Sequence, residues 1–397
     1  MKRKVCVVIT ARPSYSRIKT ALEAIKRHKD LELQLVVSTS ALLERLGSTI
    51  NYIEEDGFEI AAKVYNVIEG DNLTSMAKTT GLGMLELSNV FLNLSPDVVI
   101  TVADRFETIA TAIAAAYMNI PLVHVQGGEE TGSIDDKVRH AITKLADFHF
   151  VSTHKAAEKV IGMGEDPECV YHTGCPSIDL AKEILYDPAL DFDPIKKYGG
   201  VGNEIEFSDG YIVVMQHPVT TEYEVAKVQA LETLNAIKDI NMPAFWFWPN
   251  IDAGSDGTSK AIRTFRELEN PEKIRFFKNM RSGDFLKLMY NCKCMVGNSS
   301  IGIRESSYLG VPVINIGTRQ NNRERAGNVM DTGYNKNEII NAVRKQISNG
   351  KYEQSFIYGN GEAGVRIADL LGKIELLSDN DNSKKVGNKY AKNSIEA

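Results

Sequence analysis

Short, continuously apolar runs alternate with helical patterns along most of this chain. The first half contains six such runs, at Val5–Thr10, Leu33–Thr39, Asp97–Ala103, Pro121–Gln126, Phe148–Thr153 and Cys169–Gly174. A strand with one solvated face alternates apolar and polar residues, whereas a continuous run indicates a strand covered on both faces. Strands and helices in this alternation predict an α/β fold with doubly wound parallel sheets.

The sequence changes character at 187–209, where it reads DPALDFDPIKKYGGVGNEIEFSD. This segment contains prolines and glycines without a helical or strand period, so we predict a linker there. A second series of strands is predicted at Tyr211–Gln216, Ala244–Pro249, Ile274–Lys278, Cys294–Gly297 and Val311–Ile316. Helices are predicted at Glu222–Lys238, Ser282–Tyr290, Ser300–Leu309, Asn335–Ser348 and Gly361–Leu377.

These patterns predict two Rossmann-like domains, at 1–186 and 210–360. A helix at 361–377 and a disordered polar tail at 378–397 are predicted to follow. In open parallel sheets, ligands bind beyond the carboxyl ends of the strands. We therefore expect the active site in the cleft between the two domains, on the loops that follow the strands.

The composition is that of an ordinary globular protein, with 43% hydrophobic and 25% charged residues. A net charge of −6 without a basic stripe argues against nucleic acid as the main partner. The five cysteines lack metal-site spacing, so we expect reduced thiols in a cytoplasmic enzyme. The short N-terminal apolar run predicts a first strand instead of a signal peptide. No run approaches the roughly 18 apolar residues of a membrane span.

Two loops of the first half carry charged residues at the predicted cleft. Arg12 stands in ARPSYS directly after the first strand, where its guanidinium group could hold a phosphate or a carboxylate. This loop has no GxGxxG pattern, so the dinucleotide-binding fingerprint is absent. Asp104 and Arg105 follow a later strand. Asp104 is either a catalytic carboxylate or the N-cap of the helix that begins near Phe106.

The next loop, HVQGGEETGSIDD at 124–136, has three glycines that let a ligand approach the backbone closely. It carries four carboxylates, on Glu129, Glu130, Asp135 and Asp136. These would repel one another unless a ligand or a cation neutralises them. A salt-bridged helix start is one alternative, since Arg139 and His140 lie one turn further on. A metal site is less favoured, because adjacent carboxylates usually diverge.

The loops of the second half carry groups that suit anions. After the turn at Gly297-Asn298 come Ser299, Ser300, Arg304 and Glu305, and Arg319 follows the next strand. A helix that begins at the serines would bind an anion through its unpaired N–H groups, and an ordinary serine N-cap is the alternative. His217 suits proton transfer or a hydrogen bond to phosphate, with a packed structural histidine as the alternative. Phosphate-binding groups opposite carboxylates fit a sugar nucleotide.

The segments ARPSYS, DRFET, GGEETGSIDDKVRHAITKLADFHF, QHPVTT, PNIDAGS, GNSSIGIRE and GVPVINIGTRQ occur in this order between about Val5 and Leu376. In them the chain resembles the UDP-N-acetylglucosamine 2-epimerases. It is most similar to the hydrolysing branch, which releases UDP and N-acetylmannosamine for nonulosonate (sialic acid) synthesis. The resemblance implies a glycosyltransferase-B type fold, with the last helix crossing back onto the first domain. It also implies a UDP-sugar substrate, a homodimer or homotetramer, and no metal or other cofactor.

The resemblance further implies roles for individual residues. UDP would be bound by Arg12, His217, Arg281, Phe285, Asn298, Ser299, Ser300, Glu305 and Arg319. Catalytic roles would belong to Asp104, Asp135, His217 and Glu129. Sugar contacts would come from Arg105, Gln126, Asp136, Arg139 and Asn250. Glu305 would hold the ribose hydroxyls, and the two serines would take the diphosphate.

One position departs from the family pattern. Some relatives have glutamate where this chain has Gln126, and a neutral amide cannot remove the proton from C2 of the sugar. Either Asp104 or Asp135 then has that role, or Gln126 reflects a different N-acylated sugar. The diacetamido 6-deoxy UDP sugar of legionaminic acid synthesis is the main alternative substrate.

Three other functions stay open at this point: a non-hydrolysing 2-epimerase, a glycosyltransferase of the same fold and a non-enzymatic UDP-sugar sensor. The acid-rich loop favours an epimerase over a transferase, and Asp104 and Asp135 argue against a sensor. Lys260 and Arg263 lie near the segment with which the related animal enzyme senses its end product. Feedback inhibition by a CMP-nonulosonate is therefore a further expectation.

Overall fold

The structure is a computed structural model that describes residues 1–44, 48–70, 72–132, 134–249 and 253–376. The predicted sugar contact Asn250 and the predicted tail at 378–397 lie outside the described residues. The strands are β1 (Arg3–Ile9), β2 (Leu31–Ser38), β3 (Ile60–Val64), β4 (Val98–Val102), β5 (Leu122–Val125), β6 (Phe148–Val151), β7 (Val170–His172), β8 (Ile212–Met215), β9 (Ala244–Phe247), β10 (Ile274–Phe277), β11 (Cys294–Gly297), β12 (Val313–Ile316) and β13 (Val329–Thr332).

The helices surround these strands. They are α1 (Arg12–Ser16), α2 (Lys19–Arg27), α3 (Thr49–Glu55), α4 (Leu73–Leu94), α5 (Thr108–Tyr117), α6 (Ile134–Leu145), α7 (His154–Gly162), α8 (Pro176–Ile184), α9 (Pro194–Tyr198), α10 (Ala226–Ile240), α11 (Ser255–Glu269), α12 (Ser282–Tyr290), α13 (Glu305–Leu309), α14 (Lys336–Asn349) and α15 (Ala363–Lys373). Short 3-10 turns are formed by Thr39–Leu42, Pro167–Cys169, Thr220–Val225 and Ser300–Gly302.

Each half of the chain builds one parallel sheet. The first sheet has the strand order β3-β2-β1-β4-β5-β6-β7, and the second has β10-β9-β8-β11-β12-β13. The predicted pair of Rossmann-like α/β units is thereby confirmed. The sequence pattern does not predict β3 or β13. Both are edge strands with several solvent-exposed or partly exposed residues, so neither has the continuous apolar run of a central strand.

The direction of strand addition reverses at the same place in both sheets. In the first sheet, β1 lies between β2 and β4, and in the second, β8 lies between β9 and β11. Ligands bind in the crevice outside the carboxyl ends of the strands at such a reversal. In the first sheet, Arg12 follows β1 and Asp104 follows β4. In the second sheet, His217 follows β8 and Asn298 follows β11. The fold therefore places the predicted site loops at the two reversal points.

The last helix packs on the first sheet's side of the molecule. Leu371 of α15 lies in the same hydrophobic core as Leu22 of α2. The carboxylate of Asp179 in α8 accepts hydrogen bonds from the backbone N–H groups of Ala363 and Gly364, at 2.9 and 2.7 Å. These bonds satisfy donors that the first turn of a helix leaves unpaired. They fix the point at which the chain enters α15.

Two connecting segments associate with the second sheet. α8 contributes Ile178 to the core that contains Phe245 of β9, although its residues fall in the range predicted for the first domain. The predicted linker contains α9 and forms an antiparallel bridge between Val201 and Phe276 of β10. The boundaries at 186 and 210 stay a prediction.

Two further features bear on the expectations from composition. Over the described ranges, none of the helices has both the length and the apolar character that crossing a membrane requires. Each of the five cysteines, all within the described residues, is a reduced thiol, as expected.

Candidate active site

A cavity lies between the two domains at the carboxyl ends of both sheets. Its wall in the first domain includes Arg12, Arg17, Asp104, Arg105 and Asp135. Its wall in the second domain includes Met215, His217, Phe247, Phe285, Ser299, Ser300, Glu305 and Arg319. The fold thus brings most of the predicted site residues to one cavity, although they come from distant parts of the sequence.

Asp104 lies at the end of β4 among three arginines. Its carboxylate is hydrogen-bonded to Arg139 of α6, and it lies 3.5 Å from Arg17 and 3.8 Å from Arg323. Burial alone would raise the pKa of this carboxyl, but the surrounding guanidinium groups hold it well below its usual range. Asp104 is therefore an anion at neutral pH. The alternative interpretation of Asp104 as an N-cap is wrong, because Glu107 occupies that position before α5.

The two adjacent carboxylates at the start of α6 have different surroundings. Asp135 lines the cavity. Asp136 accepts hydrogen bonds from the backbone N–H groups of Thr131 and Gly132, at 2.8 and 2.7 Å, and forms an ion pair with Arg139 at 2.5 Å. The ion pair between Asp136 and Arg139 confirms the salt-bridged helix start.

The segment after β11 does not form the single helix predicted at Ser300–Leu309. A 3-10 turn covers Ser300–Gly302, and α13 begins only at Glu305. The break falls at Arg304, whose side chain reaches Glu129 of the first domain. Ser299 occupies the N-cap position of this turn, but its side chain makes no cap hydrogen bond, so its hydroxyl does not cap the turn. An anion at this wall would meet two hydroxyl groups and a short turn instead of a long helix dipole.

Asn298 positions the neighbouring wall residues from behind. Its side-chain carbonyl accepts a hydrogen bond from the His217 backbone N–H at 2.7 Å, and its amide donates to the His217 carbonyl at 2.8 Å. The backbone carbonyl of Asn298 accepts a hydrogen bond from the Arg319 guanidinium group at 3.3 Å. The strands meet closely here, since a Cβ on Gly297 would lie 2.1 Å from the Met215 carbonyl oxygen. Gly297 also has a φ of +135°, which only glycine adopts readily.

Two wall residues have features that indicate a ligand or a link between the walls. The Oε2 atom of Glu305 is buried and has no hydrogen-bond partner within the described part of the chain. A buried acceptor is costly to leave unsatisfied, so we expect a ligand donor there. Arg17 links the two walls, because it donates to the Ser300 hydroxyl at 2.8 Å while it lies beside Asp104.

Several predicted residues lie behind the wall or away from it. The side chain of Arg281 crosses to α3, where it pairs with Glu55 and lies 5.4 Å from the Tyr52 ring centroid, and its predicted UDP contact stays a prediction. Gln126 donates to the Cys175 sulfur at 3.0 Å. The other residues that support the wall without lining it in the described structure are Glu129, Asp136, Arg139 and Asn298.

Three residues at the site were not predicted from the sequence. Arg17 follows Arg12 by five residues in ARPSYSR, and this repeated arginine is a signal that could have identified it. Arg323 lies in a loop without any period that would single it out. Phe247 belongs to the strand predicted at Ala244–Pro249; it is buried, but it also lines the cavity with Phe285, the two rings meeting edge to face at 4.9 Å.

Two parallel sheets of Rossmann order on either side of one cavity define a glycosyltransferase-B type fold, which is found in nucleotide-sugar enzymes. The family model for UDP-N-acetylglucosamine 2-epimerase matches residues 23–372. The chain belongs to this family. The resemblance seen in the sequence motifs is thereby confirmed at the level of the family.

Individual relatives agree with this assignment. The chain is 32% identical to the UDP-N,N'-diacetylbacillosamine 2-epimerase (hydrolyzing) of Legionella pneumophila, over 95% of this chain and 98% of that relative. It is 31% identical to the UDP-N-acetylglucosamine 2-epimerase of Neisseria meningitidis, over 94% of this chain and 96% of that relative. The crystal structure of UDP-GlcNAc 2-epimerase from Neisseria meningitidis bound to UDP-GlcNAc has a TM-score of 0.76, covering 94% of this chain and 100% of that chain. At 19% identity it supports the fold alone.

The ionisation of Glu129 leads to a prediction about stability and pH. Burial raises its pKa, but Arg304, Arg323 and Arg139 outweigh burial and lower it from 4.5 to about 2. Such a carboxyl stabilises the fold fully above its unfolded pKa and loses its contribution as the pH falls toward the folded value. We expect Glu129→Gln to reduce the free energy of unfolding at neutral pH by about 3–5 kcal/mol. The deficit should shrink between pH 4.5 and about pH 2.

Urea unfolding at a series of pH values measures this effect. Glu130→Gln is the matched control, because Glu130 is the neighbouring, partly exposed carboxylate and pairs with Lys159 at 2.7 Å. Its effect should stay below about 1 kcal/mol at every pH. A Glu129→Gln deficit that is independent of pH would contradict the assigned ion pairs.

Proposed function

We propose that this protein is a hydrolysing UDP-sugar 2-epimerase that converts UDP-N-acetylglucosamine and water to N-acetylmannosamine and UDP. The observation that supports this most is the make-up of the interdomain cavity. Hydroxyl, imidazole and guanidinium groups line one side of it, and Asp104 and Asp135 line the other. The donor groups suit an anionic leaving group, and the two carboxylates suit a sugar that exchanges a proton.

The second domain supplies groups suited to a diphosphate. Ser299 and Ser300 offer hydroxyl donors, and Arg319 and His217 lie on the same wall. Arg12 reaches this side from the first domain and donates to Asn279. Cationic and hydroxyl donors fixed around a departing phosphate stabilise its charge without reorganising during the reaction.

Other wall residues suit the nucleoside. The rings of Phe247 and Phe285 form an apolar surface for the uracil base. The buried Oε2 of Glu305 is suited to accept a hydrogen bond from a ribose hydroxyl, which would satisfy an acceptor that has no partner in the described chain.

The chemistry requires an elimination followed by hydration. The proton on C2 is removed while the C1–O bond breaks, so that UDP leaves and a 2-acetamidoglucal forms. C2 is weakly acidic, and the elimination therefore depends on stabilising the UDP anion. Water then adds its hydroxyl group to C1, and a proton is delivered to the opposite face of C2. The product is the manno sugar.

The two carboxylates of the sugar side have different roles in this proposal. Asp104 is held as an anion by the arginines around it, so it is a weak base. It is suited to stabilise the positive charge that develops at C1 as UDP leaves. Asp135 is the proposed base that takes the C2 proton. Gln126 cannot have that role, because an amide is not a base.

A second candidate substrate is UDP-2,4-diacetamido-2,4,6-trideoxyglucose. The Legionella relative, whose name specifies UDP-N,N'-diacetylbacillosamine, supports this candidate at 32% identity. Both sugars allow the same elimination, because their differences lie at C4 and C6, away from C1 and C2. Measuring kcat/KM for the two UDP sugars decides between them, and the larger value identifies the substrate.

Incubation of the purified protein with UDP-GlcNAc in D2O, followed by NMR, tests the reaction. We expect free UDP and N-acetylmannosamine with deuterium at C2, since the incoming proton is derived from solvent. Intact UDP-ManNAc would defeat the hydrolysing assignment and identify a non-hydrolysing 2-epimerase. UDP binding without turnover of either UDP sugar would favour a sensor or a transferase.

Asp104→Asn tests the proposed role of the fixed anion. We expect UDP binding by calorimetry to persist while turnover falls by about 10²–10⁴-fold, because the substitution removes the charge at the sugar but leaves the nucleotide wall intact. Asp135→Asn should behave in the same way. Loss of UDP binding in Asp104→Asn, with a folded protein by circular dichroism, would make Asp104 a structural residue.

A second cavity adjoins the Arg12 loop and offers a place for a regulatory anion. It is lined by Tyr52, Trp248, Arg263, Arg266 and Lys278, among others. Arg12 and Arg105 line both cavities, so a ligand in one could affect the other. These features support the feedback inhibition by a CMP-nonulosonate that the resemblance implies.

An inhibitor titration tests this regulation. We expect CMP-nonulosonate to inhibit the enzyme and Arg263→Ala to weaken the inhibition, because the cavity loses a cation. A smaller effect is expected for Lys260→Ala, because Lys260 is exposed on α11 and is not among the described residues that line the cavity. Absence of inhibition at saturating CMP-nonulosonate would remove feedback from the proposal.

Two further expectations from the resemblance stay predictions. One is an assembly of two or four copies, for which α4 offers the exposed side chains of Leu85 and Leu92. Size-exclusion chromatography with light scattering measures it. The other is a cytoplasmic location.

A further inference from the structure

We propose that Arg304 and Arg323 of the second domain are positioning residues for the reaction. In the closed cleft they hold Glu129 and Asp104 of the first domain as ordered anions, so the sugar side of the site is complete only when the domains are together. This inference rests on the proposed function for the reaction on which the carboxylates act. We refer to these four side chains as the interdomain charge cluster.

The contacts within the cluster cross from one domain to the other. Arg304 donates through Nη2 to both carboxylate oxygens of Glu129, at 2.8 and 2.6 Å. The Nε atom of Arg323 lies 3.1 Å from Glu129 Oε2, and its Nη2 atom lies 3.8 Å from Asp104 Oδ2. Arg323 thus acts on both carboxylates. Neither arginine could make these contacts from an open cleft.

The cluster is excluded from solvent. The exposed fraction is 1% for Arg304, 5% for Arg323, 5% for Glu129 and 6% for Asp104. Buried charges lose their hydration, and only a well-placed opposite charge offsets this loss. Water would solvate each group separately in an open cleft. Closure of the cleft and the ion pairing of Glu129 are therefore one event, whereas Asp104 keeps Arg139 of its own domain beside it and gains Arg323 as a further cation.

The connections between the domains lie against the cluster. The guanidinium carbon of Arg304 is 5.9 Å from the ring centroid of Tyr358, which precedes Gly359 on the way to α15. Gly174 lies on the other connection, and a Cβ built on it would be 3.3 Å from the Cα of Gly359. Both glycines have positive φ, of +82° and +113°. Two adjacent connections with such residues give the domains a hinge next to the cluster.

The cluster acts on the active-site cavity from behind. Asp104 lines that cavity, whereas Glu129, Arg323 and Tyr358 line a separate cavity between the domains. Arg323 therefore affects the reaction through the charge and orientation of Asp104, without contact with the sugar. This distinguishes it from Arg17, which lines the active-site cavity.

Arg323 is charged at neutral pH, although burial and the neighbouring Arg304 lower its pKa to about 10. The other charged groups that act on Asp104 are Arg139 and Arg17. His124 is also close, but burial lowers its pKa to about 3, so it is neutral. Loss of Arg323 would leave Asp104 with fewer cations, and its carboxyl would take up a proton at a higher pH than in the native protein.

Arg323→Met tests the inference, with Arg325→Met as the matched control. Arg325 is two residues away and pairs with the half-exposed Asp331 at 2.8 Å. We expect Arg323→Met to lower kcat by about 10–100-fold, as loss of a supporting partner typically does. The acid limb of its kcat profile should move to higher pH, while UDP affinity by calorimetry should change little. Arg323→Lys, which keeps the charge, should restore the native acid limb.

Small-angle X-ray scattering of the ligand-free protein gives a readout that does not depend on the reaction. Arg304→Met should have a larger radius of gyration than the native protein, and Arg325→Met should not. The inference is overturned if the acid limb of Arg323→Met matches that of Arg325→Met, or if Arg304→Met stays as compact as the native protein. If Arg323→Met does not fold, Arg323→Gln replaces it in the same comparison.

Failure of the proposed function would look different from failure of this inference. The native protein would then yield a product other than free UDP and the free 2-epimer. The pH profiles and the scattering curves of the variants would still report on the charge cluster, whichever 2-epimerisation is followed.

Discussion

A buried charge is stable in a protein only where an opposite charge is fixed beside it, and this constraint organises the cleft. The carboxylate of Glu129 is paired with Arg304 and Arg323, both of which belong to the other domain. Asp104 is paired mainly with Arg139 of its own domain and also lies near Arg323. Among the described residues, the ion pairs of Glu129 come from the second domain, while the charge of Arg139 in the first domain also lowers its pKa. The relative position of the two sheets, and the cavity between them, depend on this arrangement.

The same constraint separates two carboxylates that look alike in the sequence. Asp104 lies in the loop after β4, whereas Asp135 lies in the first turn of α6. Arg139, Arg17 and Arg323 surround Asp104 and hold its pKa well below the usual range. A carboxylate in such surroundings is suited to remain charged, whereas a base needs to exchange its proton near neutral pH. The arginines around Asp104 thus favour the role of a fixed anion over that of a base in the proposed reaction.

The sequence predicts the sheets well because central strands are buried on both faces, which leaves continuous apolar runs. It predicts Asp104, His217 and Ser300 at the site because each follows such a run, and parallel strands end at one edge. It fails where tertiary contacts decide the outcome. The helix predicted at Ser300–Leu309 is broken at Arg304, whose side chain is held by the other domain. The individual catalytic and binding roles came from family resemblance, since no spacing rule assigns them.

The turn at Gly297-Asn298 links the packing of the second sheet to one wall of the site. Gly297 lets β11 approach β8 more closely than any side chain would allow, and Asn298 then holds the backbone of His217 on both sides. This wall of the cavity is therefore part of the sheet itself and cannot vary freely. Gln126 lies on the other domain, directly after β5, and donates to the Cys175 sulfur at 3.0 Å. Relatives named for two different UDP sugars are 32% and 31% identical to this chain, so both sugars occur within one family.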